Sequence, residues 1–497
     1  MRPLADVNRM LERLTHKRSL TLIGGAYVVA ALLVAGPWIF TVLGLIGLGV
    51  TACADGCDEL ALFRTIVIYS SMFSLIVTSP IAFLFARHIS DQLFQGKRDG
   101  IVFALACAFT IFAFTIALAV VPFYGWGATL TSAQKLAAIH NVMLIGCSWL
   151  LIPFLGVTRA YRTVLAAFAL GAIAMTLLGW AIPEPSALWL LVSFNAGFAV
   201  VNAILLISII RTFGRTNNVD ASLFQLLKHK WELPAAGACY ALGLWVDKVI
   251  MWVMAPSGTM EMAGVLRTMP SYDTAMFWAH LSAIPIIAVF FVHIETQYKT
   301  LSEAFYGGFR RRASLRELAQ AMGRIRIFVI SNLVGMFAAL IIVAATMIAL
   351  SFVFMHELGL RPSYMTILRT ALCAIVFHTS AMFCFIFLLY FDLRKSALLI
   401  VATYFALNGI LTYSLLPMGA EYYGYGTMIA AALSFLLGFG LLLKELPWLH
   451  YHAVITNNTS IQQATGKKWT LAESFIGKNL VWLHPKEPMA GKRKFSG

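Results

Sequence analysis

The run Gly243-Leu-Trp-Val-Asp-Lys-Val-Ile-Met-Trp252, followed by Arg267-Thr-Met-Pro-Ser-Tyr-Asp-Thr-Ala-Met-Phe277, decides the reading of this chain. Two apolar spans meet there across a short polar loop, and the first holds Asp247 and Lys248 within its hydrophobic run. A charge at membrane depth costs roughly 2.5–3.5 kcal/mol on insertion scales, so each of these needs a partner or a task. Residues three and four apart share a helix face. Lys248 therefore falls between Trp245 and Trp252, while Asp247 sits about 100° round, with Tyr240, Gly243 and Met251. The two charges are expected to pair poorly with each other. Asp273, Arg267 and Arg369 are the candidate partners on other segments.

Working outward, the chain of 497 residues is 60% hydrophobic and only 12% charged, with a mean hydropathy of +0.81. Soluble domains run at about 45–50% apolar and 25% charged. The composition is that of an all-α polytopic membrane protein. Apolar runs fall near 20–50, 61–86, 101–123, 136–157, 163–182 and 187–210, then near 233–254, 272–294, 325–355, 366–390, 396–417 and 424–443. That makes about 12 transmembrane helices in two six-helix lobes, 20–210 and 233–444, joined by a cytoplasmic linker, 211–232. The first run is too long for a signal-peptide core and is expected to stay as a helix. Gly36 and Pro37 in its middle predict a kink, because proline removes a helix hydrogen bond.

Charge distribution orients the chain. With the N-terminus in the cytoplasm, 31 of the 37 Lys and Arg fall on inside segments, as the positive-inside rule requires. The net charge of +15 then reads as orientation signal and headgroup contact rather than nucleic-acid binding. Both termini are expected in the cytoplasm: an amphipathic segment, 1–19, and a basic tail, 445–497.

Three further features stay open at this level. Cys53 and Cys57 share an outer loop and could form a disulfide, remain free thiols or, less simply, bind metal. The inside loop 295–324 places Leu301, Ala304, Phe305 and Phe309 on one helical face, beside Arg310, Arg311 and Arg312. It reads as a surface-lying helix or as a docking site for a cytosolic partner. His280 and His378 lie in spans, as packing residues or as proton relays. No phosphate-binding loop, zinc signature or soluble catalytic domain is present, so an enzyme is not expected, and no cofactor or metal is called for.

Asp247, Lys248, Trp245, Trp252, Tyr272 and Asp273 have two readings. They form a substrate path, since aromatic faces beside charges suit sugar rings and their hydroxyls. Alternatively they form an interhelical ion pair that fixes bundle packing.

Several runs resemble the Pel exopolysaccharide exporter (PelG) family, in the polysaccharide branch of the MOP flippase superfamily. They are Ala35-Gly-Pro-Trp-Ile39, Gly243-Leu-Trp-Val-Asp-Lys248 and Pro270-Ser-Tyr-Asp-Thr-Ala-Met-Phe277, continuing through Ile284-Pro285 to Phe290-Phe-Val-His-Ile-Glu-Thr296. The resemblance spans about residues 20–445. It implies a MOP-type transporter fold, two lobes facing across a central cavity. It implies export of a growing amino-sugar polymer across a bacterial inner membrane for a biofilm matrix. The implied partners are a cytosolic PelF-like glycosyltransferase and PelD/PelE-like membrane scaffold subunits. The rival readings are a lipid-linked oligosaccharide flippase, a cation-coupled drug exporter and a non-transporting scaffold that activates a glycosyltransferase.

Overall fold

A computed structural model describes residues 36–49, 58–97, 100–158, 161–181, 186–214, 229–357 and 362–448. Eleven described helices are long and apolar enough to cross a membrane, and the first expected span is described over Gly36–Gly49. In chain order we label these helices α1 (Gly36–Gly49), α2 (Asp58–Phe94), α3 (Ile101–Pro122), α4 (Ser132–Thr158), α5 (Tyr161–Trp180) and α6 (Ala187–Phe213). There follow α7 (Glu232–Met254), the strands β1 (Met260–Ala263) and β2 (Leu266–Thr268), α8 (Pro270–His293) and α9 (Lys299–Arg310). The last four helices are α10 (Leu315–Glu357), α11 (Pro362–Tyr390), α12 (Arg394–Leu415) and α13 (Tyr425–Glu445).

These helices form because lipid leaves no partner for a bare peptide group, so each span satisfies its own backbone. Their hydroxyls follow the same rule. Thr41 donates to Pro37 O at 2.8 Å and Thr78 to Ser74 O at 2.7 Å, bonding one turn back within their own helices.

The helices pack as follows. In the first half, α2 packs on α3, α4 and α6, α4 on α6, and α5 on α6; Phe40 of α1 meets Phe168 of α5 and Phe198 of α6. In the second half, α7 packs on α12, α8 on α10 and α11, and α11 on α10 and α12. The seam between the halves is α2 against α7, with the hairpin β1–β2 also resting on α2. Gly237 makes the close approach possible. A Cβ there would lie 2.6 Å from Ser79 O, so the two helices meet backbone to backbone.

The inside segment 295–324, read as a surface-lying helix or a docking site, is mostly helix. A π-turn, Ile294–Tyr298, joins α8 to α9, and α10 already begins at Leu315. Phe305 is buried, whereas Ala304 is exposed. Helix α2 runs 37 residues, about 55 Å at the α-helical rise and well beyond one bilayer core.

The kink expected at Gly36 and Pro37 depends on residues before 36, which lie outside the described residues. Gly36 itself has a packing reason, since a Cβ there would stand 2.8 Å from the Phe168 ring. Cys53 and Cys57, the N-terminal segment 1–19 and most of the basic tail also lie outside the described residues.

Candidate functional site

The site begins with one helix and its side-chain lengths. Asp247 is 1% exposed, and the Lys248 side chain 14%. Contrary to the expectation from helix angles, they pair, with Nζ 3.3 Å from Oδ2. The 100° argument fixes where Cβ points, but a four-carbon stem lets the ammonium swing back. Lys248 Nζ also donates to Leu244 O at 2.9 Å. It lies 5.7 Å from the centre of the Trp245 ring, within cation–π range.

The other expected partners are engaged elsewhere. Arg267 faces Glu261 at 3.5 Å. Arg369 donates to Ser351 Oγ at 3.3 Å and stands over the Phe352 ring at 3.7 Å. Asp273 accepts from Trp252 Nε1 at 2.9 Å and from Met269 N at 3.0 Å. That second bond ties the carboxylate to the N-terminus of α8, where the helix dipole favours negative charge.

Asp247 is bonded from α8, and a neighbouring set of bonds joins α13 and α12 to α7. The Tyr272 hydroxyl, on α8, donates to Asp247 Oδ2 at 2.8 Å and lies 3.4 Å from Thr427 Oγ1 of α13. Thr427 donates to Asn408 Oδ1 of α12 at 2.9 Å, and Asn408 Nδ2 returns to Gly243 O on α7 at 2.9 Å. Both hydroxyl protons are then used, so Tyr272 and Thr427 meet without a hydrogen bond between them, and the Thr427–Asn408 bonds return to α7 separately. Gly243 admits Tyr404, whose ring carbon would lie 2.8 Å from an added Cβ. A buried charge is tolerable only inside a satisfied network of this kind.

The aromatic groups lie on the seam. Trp252 stacks on Tyr69 of α2 at 4.7 Å, and Tyr69 lies 5.7 Å from Phe123 in a second π-turn, Phe123–Gly127. The Tyr69 hydroxyl donates to Arg267 O at 2.9 Å and accepts from Arg267 N at 3.1 Å, fastening the hairpin of the second half to the first. Val265 N adds a bond to Gly127 O at 3.1 Å. Trp252 is thus engaged by Tyr69 and Asp273, and the ring beneath the Lys248 ammonium is Trp245.

The structure thus brings together all six residues singled out on the charged span and its neighbour. Asp247, Tyr272 and Trp252 are buried, while Trp245, Lys248 and Asp273 keep some exposed surface. His280 and His378 lie with ring centres 6.2 Å apart, and His378 packs on Tyr404 at 4.6 Å. His280 Nδ1 is bonded to Met276 O at 2.8 Å. No group of three or more His, Cys, Asp or Glu suited to a metal occurs among the described residues.

Sequence reasoning missed the asparagines. Asn408 anchors the network above. In the first half Asn141 donates to Asn195 Oδ1 at 2.6 Å and Ser148 to Asn202 Oδ1 at 2.8 Å. Asn195 and Asn202 each return to an α4 carbonyl, Ala137 O and Leu144 O. The seven-residue spacing of Asn141 with Ser148 and of Asn195 with Asn202 was the available signal.

Comparison with known proteins places this geometry. No curated protein matches the chain. Among solved structures, an outward-facing multidrug resistance MATE family transporter of the MOP superfamily has a TM-score of 0.54 at 13% identity, covering 89% of this chain and 99% of its own. A MATE crystal structure in the straight conformation has a TM-score of 0.55 at 12% identity, covering 90% and 98%. A MOP superfamily transporter from Pyrococcus furiosus, described as having a binding pocket of reverse polarity, has a TM-score of 0.54 at 13% identity, covering 90% and 97%. At these identities the likeness is one of fold: the chain has the MOP-type transporter fold. The model of the PelG exopolysaccharide exporter (EPS-E) family matches residues 7–453. The chain, a multi-pass membrane protein with a transporter's fold, belongs to the PelG family of exopolysaccharide exporters.

Proposed function

We propose that the chain exports a growing amino-sugar polymer of the Pel type across the inner membrane, along the seam between its lobes, for a biofilm matrix. The lobes are 20–210 and 233–444, with linker, α9 and tail on the cytoplasmic side. The observation that carries this reading is the charged, aromatic step at the seam. Lys248 lies over Trp245 while its counter-charge is buried and bonded from α8 by Tyr272. An indole face and an ammonium donor suit a saccharide, whose ring packs on aromatics and whose oxygens accept hydrogen bonds. Asp273, half-buried beside Trp252, supplies a carboxylate for hydroxyl or amine groups. Asp247 acts through Lys248 and Tyr272 rather than by touching polymer.

The partners in this reading are a PelF-like cytosolic glycosyltransferase and PelD/PelE-like scaffold subunits. The docking surface is the end of α9 and the turn that follows, where Arg311 and Arg312 are exposed. The test is reconstitution of the chain with its glycosyltransferase in vesicles, followed by assay of polymer on each side of the bilayer. Protected polymer that depends on this chain supports the reading. Polymer made but left on the synthase side makes the chain an activating scaffold. Transfer only of a lipid-linked unit makes it a flippase.

A further inference from the structure

One end of the α2–α7 seam is closed by ions. The last turns of α2 carry Arg87 and Asp91. Facing them are Lys230 at the end of the linker and Glu232 at the start of α7, with Asp392 in the turn between α11 and α12 and Arg394 at the start of α12 from the second half. Lys230 Nζ lies 2.9 Å from Asp91 Oδ2, and Arg87 Nε 3.0 Å from Asp91 Oδ1. Arg87 Nη1 lies 3.5 Å from Asp392 Oδ1, and Arg394 Nε 3.3 Å from the same atom. Arg394 Nη1 closes the row 3.7 Å from Glu232 Oε2. The six charges alternate in sign from Lys230 to Glu232. Two of the links leave the first half: Arg87 with Asp392 joins the two halves, and Asp91 with Lys230 ties the first half to the end of the linker.

A second observation concerns the backbone. Asp392 has a φ of 57°, the left-handed conformation that glycine adopts most easily after a helix. Its N–H bonds to Leu389 O at 3.0 Å, and Leu393 N to Leu388 O at 2.9 Å, the usual way to end a helix at such a residue. An acidic side chain stands where glycine would relax the turn, and that side chain lies between two guanidinium groups. The turn thus holds a carboxylate at the seam.

A third observation gives the row a mechanical place. Gly237 meets Ser79 O backbone to backbone, and at the helical rise this contact is about 8 Å along α7 from Glu232 and about 22 Å from Trp252. The far end of the seam is closed by other means, the Tyr69–Trp252 stack and the hairpin bonds. Ion pairs that are partly wet are individually weak and are screened by salt. Backbone bonds and ring stacks are not screened in this way.

We infer that the row Lys230–Asp91–Arg87–Asp392–Arg394–Glu232 is a salt-sensitive latch that shuts the cytoplasmic end of the seam and must part to admit substrate. The inference rests on the transporter fold and not on the polymer path proposed above, so the two fail separately.

The test uses the full chain in vesicles, with Ser79→Cys as the reporter, because Ser79 is 5% exposed beside Gly237. A membrane-impermeant maleimide added from the latch side reports opening, and the parent chain supplies the background from native cysteines. Asp392→Asn keeps a side chain tolerated in the left-handed region and removes the charge. It should raise the labelling rate at low salt about fivefold or more, the population change that one or two kcal/mol produces. Raising KCl from about 0.05 M to about 1 M should speed labelling of the parent reporter, and of Asp392→Asn by a clearly smaller factor, since of the two links that leave the first half only Asp91–Lys230 is left to screen. Asp392→Gly, which relaxes the turn, should behave like Asp392→Asn and serves if that variant folds poorly. Unchanged labelling in a folded Asp392 variant overturns the latch. So does faster labelling with the parent's salt dependence intact.

Discussion

Lys248 bends back along its own helix to meet the residue before it, with its ammonium 3.3 Å from the Asp247 carboxylate. The pair is therefore local to α7, while the hydrogen bond that holds its carboxylate from outside comes from Tyr272 of α8. Four predictions start from this arrangement and its surroundings.

Asp247→Asn removes one partner of a buried pair and strands Lys248. Breaking such a pair costs roughly 3–5 kcal/mol, whereas replacing both partners with neutral groups costs far less. We expect Asp247→Asn to lower the thermal midpoint in detergent and to abolish polymer secretion. The double variant Asp247→Asn with Lys248→Met should regain most of the stability while secretion stays lost. Recovery of secretion in the double variant would make the pair structural.

Trp252→Phe keeps a ring against Tyr69 and deletes the N–H that Asp273 accepts at 2.9 Å. A hydrogen bond to a charged group contributes about 1.5–3 kcal/mol. Thermal melting should show a loss of that order. Trp252→Leu, which also removes the stack, should lose more.

Glycine substitutions should separate two kinds of contact. At Gly243 an added Cβ meets the edge of the Tyr404 side chain at 2.8 Å, and overpacking of that kind costs roughly 1–3 kcal/mol. At Gly237 it meets the Ser79 carbonyl at 2.6 Å, and no rotamer change relieves a backbone contact. Gly237→Ala should therefore reduce expression and export more than Gly243→Ala, as read by membrane yield and polymer assay.

Changing Arg310, Arg311 and Arg312 together to alanine should weaken co-purification with the glycosyltransferase. Arg311 and Arg312 are exposed, and exposed substitutions move stability by about 0.5 kcal/mol or less. The melting midpoint should hold while the pull-down signal falls. An undiminished pull-down would remove this docking surface.

The sequence by itself determined the helical spans and the place of the charged helix. Lipid imposes those features one segment at a time: a run of apolar residues must be a helix wherever its neighbours lie. The same locality explains why Asp247, Lys248, Tyr272 and Asp273 stood out, each a polar group in an apolar run. Tertiary structure decided which of them meet. Helix angles predicted that Asp247 and Lys248 would part, but the reach of the lysine stem and the hydroxyl of Tyr272 settled the pairing. It also decided the roles of Asn408, Gly237 and Asp392. Their partners, Gly243, Ser79 and Arg87, are far off in the chain and come close only when the helices pack. A window along the chain carries burial and period, but a contact between distant segments exists only once both are placed.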